Sequence, residues 1–496
     1  MMRGWWALPI LGFVCIGCST VPGAGALEEA DAADSARRSR LVDDLRDALD
    51  NAGVVPLPEP PAVTPELFEL GQALSFDKIL SGNQNISCLT CHHPSLGSDD
   101  DRALPLGEGG IGLGQDRAGG PDIPRNAPEL FNRHALDSMF WDSRVLSDGA
   151  GGFITPAGAA LTPEMQDTFT FGALAAQAMF PVTSREEMRG QPGSNELADL
   201  ADTDFAGIWA GLMARLGAIP EYVAMFEAAY PGTDFDDMTF AHAANAIAAF
   251  EADGFASLDS PLQRFVAGDD HALSSDELRG GIAFFDLGCG GCHNGPMLSD
   301  EAHHNTGLAQ FGPGKGDGPS GADDFGRLRE SGDPADLYAF RTPSLFNVAL
   351  TGPWGHLGQH NELDEFVEHY EDPEGDLMSY DITLHVDAAS LHSTQLDNVA
   401  EVLAGLSPSL QGGLGPIPSS VLAFLESLTD DDVARNLDAL VPATVPSGLP
   451  VDQMPAADDD SSSDDDDSSS DDDSSSDDDD SSSDDDDSSR HGGHGH

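Results

Sequence analysis

The chain has 496 residues and an apolar content of 40%, which excludes a chain disordered throughout and allows two or three domains with cores. Its formal charge of -65 argues against nucleic acid or anionic lipid as partners and favours a basic protein partner or a high-salt setting. An aspartate-serine run over 458–489 holds 18 of the 87 acidic residues, so a large excess stays on the remainder, where Lys78 and Lys315 are the only lysines.

In chain order, the opening "MMRGWWALPILGFVCIGCST" combines a basic start, an apolar stretch and a small-residue boundary. That pattern reads as a secretion signal over 1–18, too short to span a bilayer. It places the protein in the periplasm, or anchored to a membrane and facing outward if Cys18 is lipidated. Ile16-Gly17-Cys18-Ser19 resembles a lipoprotein cleavage box with Cys15 where leucine is usual, and the alternative is an ordinary signal cut slightly later.

A lead segment over 19–63 follows, with a short helix carrying Leu41, Leu45 and Leu49 and then the Pro-rich "VVPLPEPPAV". Thr64-Pro65-Glu66 is a helix start with Leu67, Leu70 and Leu74 as its buried face, running toward "CLTCH" at 88–92. Ser274 and Glu277 form a capping box, and Leu278, Ile282 and Phe285 mark a helix that ends before "CGGCH" at 289–293. "GQALSFD" precedes the first cysteine pair and "GIAFFD" the second, so the plan is repeated. The expected fold is all-α, mostly helical with long Gly- and Pro-rich loops, in two modules of similar plan over 64–260 and 265–436 joined by the alanine-rich helix at 240–250. The tail over 456–496 is of low complexity and self-repelling; its "RHGGHGH" end has the chemistry of a weak metal binder.

Setting aside Cys15 and Cys18, every cysteine falls in a Cys-x-x-Cys-His motif. Zinc needs four ligands around one ion, and adjacent Cys and His do not readily face the same metal. A redox dithiol has no use for the histidine. Haem c uses all three residues: Cys88 and Cys91, or Cys289 and Cys292, add to the vinyl groups, while His92 or His293 meets the iron. His93 is expected at the surface or near a propionate, turned away from the iron. Two covalent haems make either an electron carrier or a catalyst with one open iron position and an acid beside it.

The ordered motifs "LSFDKILSGNQNISCLTCH", "PRNAPELFN", "MFWDSR", "QAMFPVTSREEM", "GCGGCH" and "FRTPSLFNVALTGPWGH" resemble those of the bacterial dihaem cytochrome c peroxidases, including MauG, over about 64–436. The resemblance implies two cytochrome c-like haem domains, with peroxide reacting at the N-terminal haem and the C-terminal haem storing or delivering electrons. It implies Glu187 as the acid/base, Gln177 as a hydrogen-bonding partner of peroxide and Pro181 as a limit on the space above the iron. Trp141 would lie between the haems, and Asn126, Thr351 and Pro353 would bind calcium. Fourteen residues after His356 the family places the second ligand of the C-terminal haem, which here is Tyr370. The loop between His93 and "RNAP" has no histidine, implying a first haem that is open without prior reduction, as in MauG.

Leu287 stands where MauG has the tryptophan that oxidises its protein substrate, which puts that route in doubt. The implied activity is reduction of hydrogen peroxide to water with electrons from a small donor such as a cytochrome c, with a homodimer as the common family assembly. The alternatives are a MauG-like oxidase of a protein or organic substrate and, in another class, a non-catalytic dihaem electron carrier.

Overall fold

A computed structural model describes residues 24–387 and 395–454; the secretion signal with Cys18, and the acidic tail, lie outside the described residues. Helices account for 44% of the chain and strands for 6%, so helix dominates the regular structure, as expected, and about half of the chain is loop. The helices that position the site are α1 (Ala24–Asn51), α2 (Pro65–Phe76), α3 (Cys88–Cys91), α4 (Gly172–Gln177), α5 (Phe240–Gly254), α6 (Ser275–Asp286), α7 (Leu363–His369) and α8 (Ser420–Glu426). Strands occur as a small antiparallel sheet of three short segments within 138–154 and a two-strand pair, His303–His304 with Phe340–Arg341. Among the described residues no helix is long and apolar enough to cross a membrane.

Local chemistry sets the helix starts. Thr64 Oγ1 accepts from the Leu67 amide at 3.3 Å, with Pro65 at the first position of α2, where its missing N–H costs nothing. At α6 the predicted capping box is present, with Ser274 Oγ accepting from the Glu277 amide and Glu277 reaching back to the Ser274 amide. Its buried face, however, runs through Leu278, Gly281 and Phe284, while Ile282 and Phe285 are only half-buried. The stripe is rotated because two small residues bring α8 close.

That closeness is a repeated device. A Cβ on Gly71 would lie 1.9 Å from the Ala246 carbonyl oxygen and 2.8 Å from Phe250 Cβ, and one on Gly280 would lie 1.8 Å from the Ser420 oxygen and 2.9 Å from Phe424 Cβ. The helix before each cysteine pair therefore has a glycine pressed against a carbonyl and against the phenylalanine four residues later on the partner helix. The structural counterpart of Gly71 is Gly280, one residue off the match between "GQALSFD" and "GIAFFD".

A second repeat joins the halves. "PELFN" and "PSLFN" end in Asn132 and Asn347, both with positive φ, at 53° and 60°. Asn132 Nδ2 donates to the Ser257 carbonyl at 2.8 Å, and Asn347 Nδ2 donates to Ser257 Oγ at 2.8 Å. One serine thus anchors both turns.

The ends of the described chain cross over. Leu45 and Leu49 of α1 pack with Phe265, Leu278 and Phe424 of the second core, and Arg38 and Arg46 bond to the chain around Asp270. The helix is longer than the short one expected in the lead segment, and it docks on the far module. In the opposite sense, residues 437–452 lie on the first module: Lys78 pairs with Asp452 at 2.6 Å, and Ser447 Oγ donates to Asp77 at 2.6 Å. The alanine-rich α5 is buried along nearly its whole length in the first core, so it is a central helix rather than only a connection.

Gly71→Ala should therefore cost about 2–4 kcal/mol, since a backbone oxygen cannot move as a side-chain tip can; urea unfolding would measure it, and Gly53→Ala would be a poor control because its φ is +68°. Tyr222→Phe should cost about 1–2 kcal/mol, because the buried Asp77 loses the phenol donating at 2.6 Å.

Candidate functional site

The first cysteine pair occupies a single helical turn. The Ser87 amide donates to Thr90 Oγ1 at 3.0 Å, and Thr90 Oγ1 donates to Asp452 at 2.6 Å, so α3 is held at its start and from the C-terminal strap. Ile86 and Leu89 are buried beneath it. This turn delivers Cys88, Cys91 and His92 to the wall of a cavity. Burial pushes the Cys88 thiol up to about 12 and raises Cys91 as well, while it pulls His92 down to about 4. The donors are thus neutral thiols and a neutral imidazole.

His93 departs from expectation. It is 1% exposed, its Nδ1 accepts from the Ser95 amide at 3.3 Å, and its Nε2 faces the Asp452 carbonyl at 3.4 Å. Capping the turn at 94–96 and lying under the strap, it is neither at the surface nor on the cavity wall.

The same cavity is lined by Gln177, at the end of α4, with Pro181 and Glu187. Glu187 sits in a wide π-helical turn, Arg185–Arg189, whose N-cap Ser184 accepts from the Glu187 amide. Such one-turn distortions re-aim a side chain, here into the cavity. Burial raises the Glu187 carboxyl above its ordinary value of 4.5, opposed by the positive charges of Arg144 and Lys315.

A second cavity holds Cys289, Cys292, His293 and Tyr370 on its wall. His293 Nδ1 donates to the Leu298 carbonyl at 2.9 Å, which fixes the tautomer and leaves Nε2 with its lone pair. Burial, with the neighbouring Cys292 and Cys289, raises the Tyr370 phenol. Asn126, Thr351 and Pro353 also line this cavity. Trp141 and Asn126 border both cavities, and Trp141 Nε1 donates to the Asn126 carbonyl at 3.0 Å. All fourteen residues singled out from the motifs are thus on one wall or the other.

Both cavities have mainly apolar linings with a few polar groups, the usual make-up of a ligand pocket. Each presents two unpaired thiols, the imidazole that follows the second of them and mainly apolar walls, a donor set that fits a covalently attached haem. None of the four described cysteines forms a disulfide.

Several groups on these walls were not anticipated. Arg125 is buried between Asp142 and Asp324, at 2.6 Å from each, and these carboxylates hold its guanidinium charged. Arg144 stacks over Phe140 with its guanidinium carbon 3.5 Å from the ring centroid. Lys315 reaches the first cavity from the glycine-rich loop of the second half, and burial among these arginines lowers its ammonium to about 8. Glu251 of α5 lies on the same wall, pushed up to about 8 by burial and hence largely protonated at neutral pH. The signal available beforehand was rarity: in so acidic a chain, the few cations next to motif residues stand out.

Comparison with known proteins agrees with this arrangement. The family profile for di-haem cytochrome c peroxidase matches residues 65–271. Cytochrome c551 peroxidase of Pseudomonas aeruginosa is 33% identical over 60% of this chain and 70% of its own length. Methylamine utilization protein MauG of Methylorubrum extorquens is 30% identical over 64% of this chain and 71% of its own. Among solved structures, a MauG-like protein associated with microbial copper homeostasis superposes with a TM-score of 0.51 at 26% identity, covering 77% of this chain and 95% of that one. The diheme peroxidase BthA of Burkholderia thailandensis shares the fold, with a TM-score of 0.52 at 18% identity over 81% of this chain and 100% of its own. With the identity spread over more than two thirds of these relatives, and with both cysteine motifs opening onto paired cavities, the chain belongs to the di-haem cytochrome c peroxidase family.

Proposed function

We propose that the protein is a periplasmic peroxidase that reduces hydrogen peroxide to water with electrons from a small redox protein such as a cytochrome c. The observation that carries this reading is the convergence of Glu187, Gln177 and Pro181 on the cavity that also receives Cys88, Cys91 and His92. Relatives named cytochrome c peroxidase support the activity.

Cys88, Cys91 and His92 would hold one haem in module 64–260, and Cys289, Cys292, His293 and Tyr370 the other in module 265–436. Bound haem supplies a redox-active iron that takes up the oxidising equivalents of peroxide. Around it, Glu187 takes a proton from one peroxide oxygen and delivers it to the other, so that the departing oxygen leaves as water. The Gln177 amide orients peroxide, and Pro181 narrows the space beside it. Trp141, bordering both cavities, offers an aromatic path between them. Tyr370 provides a hard oxygen donor, which favours oxidised metal more than a thioether would. Asn126, through its side-chain oxygen, and Thr351 and Pro353, through their carbonyls, would form the protein part of a calcium site with water completing it. The acidic surface suits a basic donor at low ionic strength.

Glu187→Gln should lower peroxide turnover with a reduced cytochrome donor by about 10²–10⁴-fold while both haems stay attached; unchanged turnover would remove Glu187 from the mechanism, and no turnover in the wild type would favour the electron-carrier reading. Because the raised carboxyl must lose its proton to act as a base, the acidic limb of the rate profile should lie above pH 4.5. Lys315→Met removes a charge that favours the carboxylate, so the limb should move to higher pH, read from kcat/KM against pH. Tyr370→Met should raise the potential of one haem and leave the other in place, measured by spectroelectrochemical titration.

A further inference from the structure

Beyond both cavities, five titratable side chains meet on the outer side of α7. We propose that His360, Glu365, His385 and Asp376 form a binding site for a divalent transition metal of the zinc class, independent of the peroxidase reading.

The geometry rests on His360, which belongs to two ligand groups. A ring nitrogen of His360 lies with donor atoms of Glu365 and His385 in one group, and a ring nitrogen lies with donor atoms of His369 and Asp376 in the other, each set mutually within 4.8 Å; in the first, His385 Nδ1 and Glu365 Oε2 are 3.0 Å apart. His360 is 1% exposed, and both of its ring nitrogens lack a hydrogen-bond partner. An imidazole buried in that way costs about 1–3 kcal/mol unless something accepts its lone pair. The nearest carboxylate oxygen, on Asp376, is 4.0 Å from Nε2, too far for a hydrogen bond. A cation between them would take up the lone pair of that buried imidazole with a small closing of the gap, since donors around tetrahedral zinc stand roughly 3–3.5 Å apart.

The surroundings hold these donors in place. The His360 backbone is paired with Trp354, accepting at 2.8 Å and donating at 3.2 Å. Tyr380 stacks on His385 at 5.0 Å and 18°, meets His360 edge-on at 5.7 Å, and donates its hydroxyl to the Gln359 carbonyl at 2.6 Å. His369 is already committed, with Nε2 donating to the Thr306 carbonyl at 2.8 Å and Nδ1 against Asp376 at 2.6 Å. It therefore orients the Asp376 carboxylate rather than binding the ion, the outer-shell role that histidine-carboxylate pairs serve in metal sites. Two imidazoles with two carboxylates suit zinc; a magnesium or calcium site would be built from oxygen donors.

The site is separate from the haem cavities. Phe366, Val367 and Tyr370 face the second cavity from α7 and its cap, whereas Glu365 and His369, one helical turn apart, lie on the other side.

The test uses the full-length holoprotein dialysed against buffered Zn2+, with zinc and iron measured together. The wild type should retain one zinc per two irons more than His385→Ala, whose side chain is half-buried and tolerant of truncation, and more than His360→Gln. Asp376→Asn should weaken zinc binding by about 10-fold or more. A chain with His491, His494 and His496 replaced by alanine should keep the extra zinc, which separates this site from the tail. Zinc should also raise the Tm of the wild type and not of His385→Ala. Equal zinc retention by the wild type, His385→Ala and His360→Gln, or loss of the ion in the tail variant alone, would overturn the proposal.

Discussion

The wall shared by the two cavities depends on one buried cation. Arg125 reaches Asp142 within its own half and Asp324 in the other, both almost wholly buried, and it immediately precedes Asn126, which borders both cavities. Removing one member of such a group strands a charge in the interior at a cost of about 3–5 kcal/mol, so the three hold together or fail together. Trp141 is fixed by the same arrangement: its indole donates to the carbonyl of Asn126, its own carbonyl accepts from Arg341, and Asp142 follows it in the chain. The separation of the two cavities is therefore set by an ion cluster on which the apolar cores merely converge.

Charge is distributed with the same logic. A chain with 87 acidic and 22 basic residues places Arg125, Arg133, Arg144 and Lys315 on the wall of the first cavity. Outside, the acidic excess is hydrated and screened. Inside, the cations are worth more because burial removes that screening, and Arg144, Lys315 and Arg125 oppose the desolvation that raises the Glu187 carboxyl. Lys315 comes from a loop of the second half, so the electrostatics of the first cavity depend on the docking of the other half.

Crossed ends and a shared serine reinforce the pairing. The N-terminal helix contributes to the second core and the strap at 437–452 covers the first, closing over His93 and the start of α3. Ser257, between the cores, ties the turns at Asn132 and Asn347. Neither half presents a boundary that could be cut without exposing the core of the other.

What was readable without coordinates was chemistry confined to a few neighbouring residues. Cys-x-x-Cys-His, the Thr64 cap and the Ser274–Glu277 box act over four or five positions, so spacing alone describes them, and the ordered motifs pointed to Glu187, Trp141 and Tyr370. What depended on tertiary structure was everything carried by contacts distant in sequence: the choice of Gly280 over Gly281 as the packing glycine, the burial of His93 under a strap 359 residues away, the reach of Lys315 into the opposite half, and the meeting of His360 with His385. A local pattern specifies which bonds a segment is able to make, but desolvation and close packing depend on what the rest of the chain brings up against it.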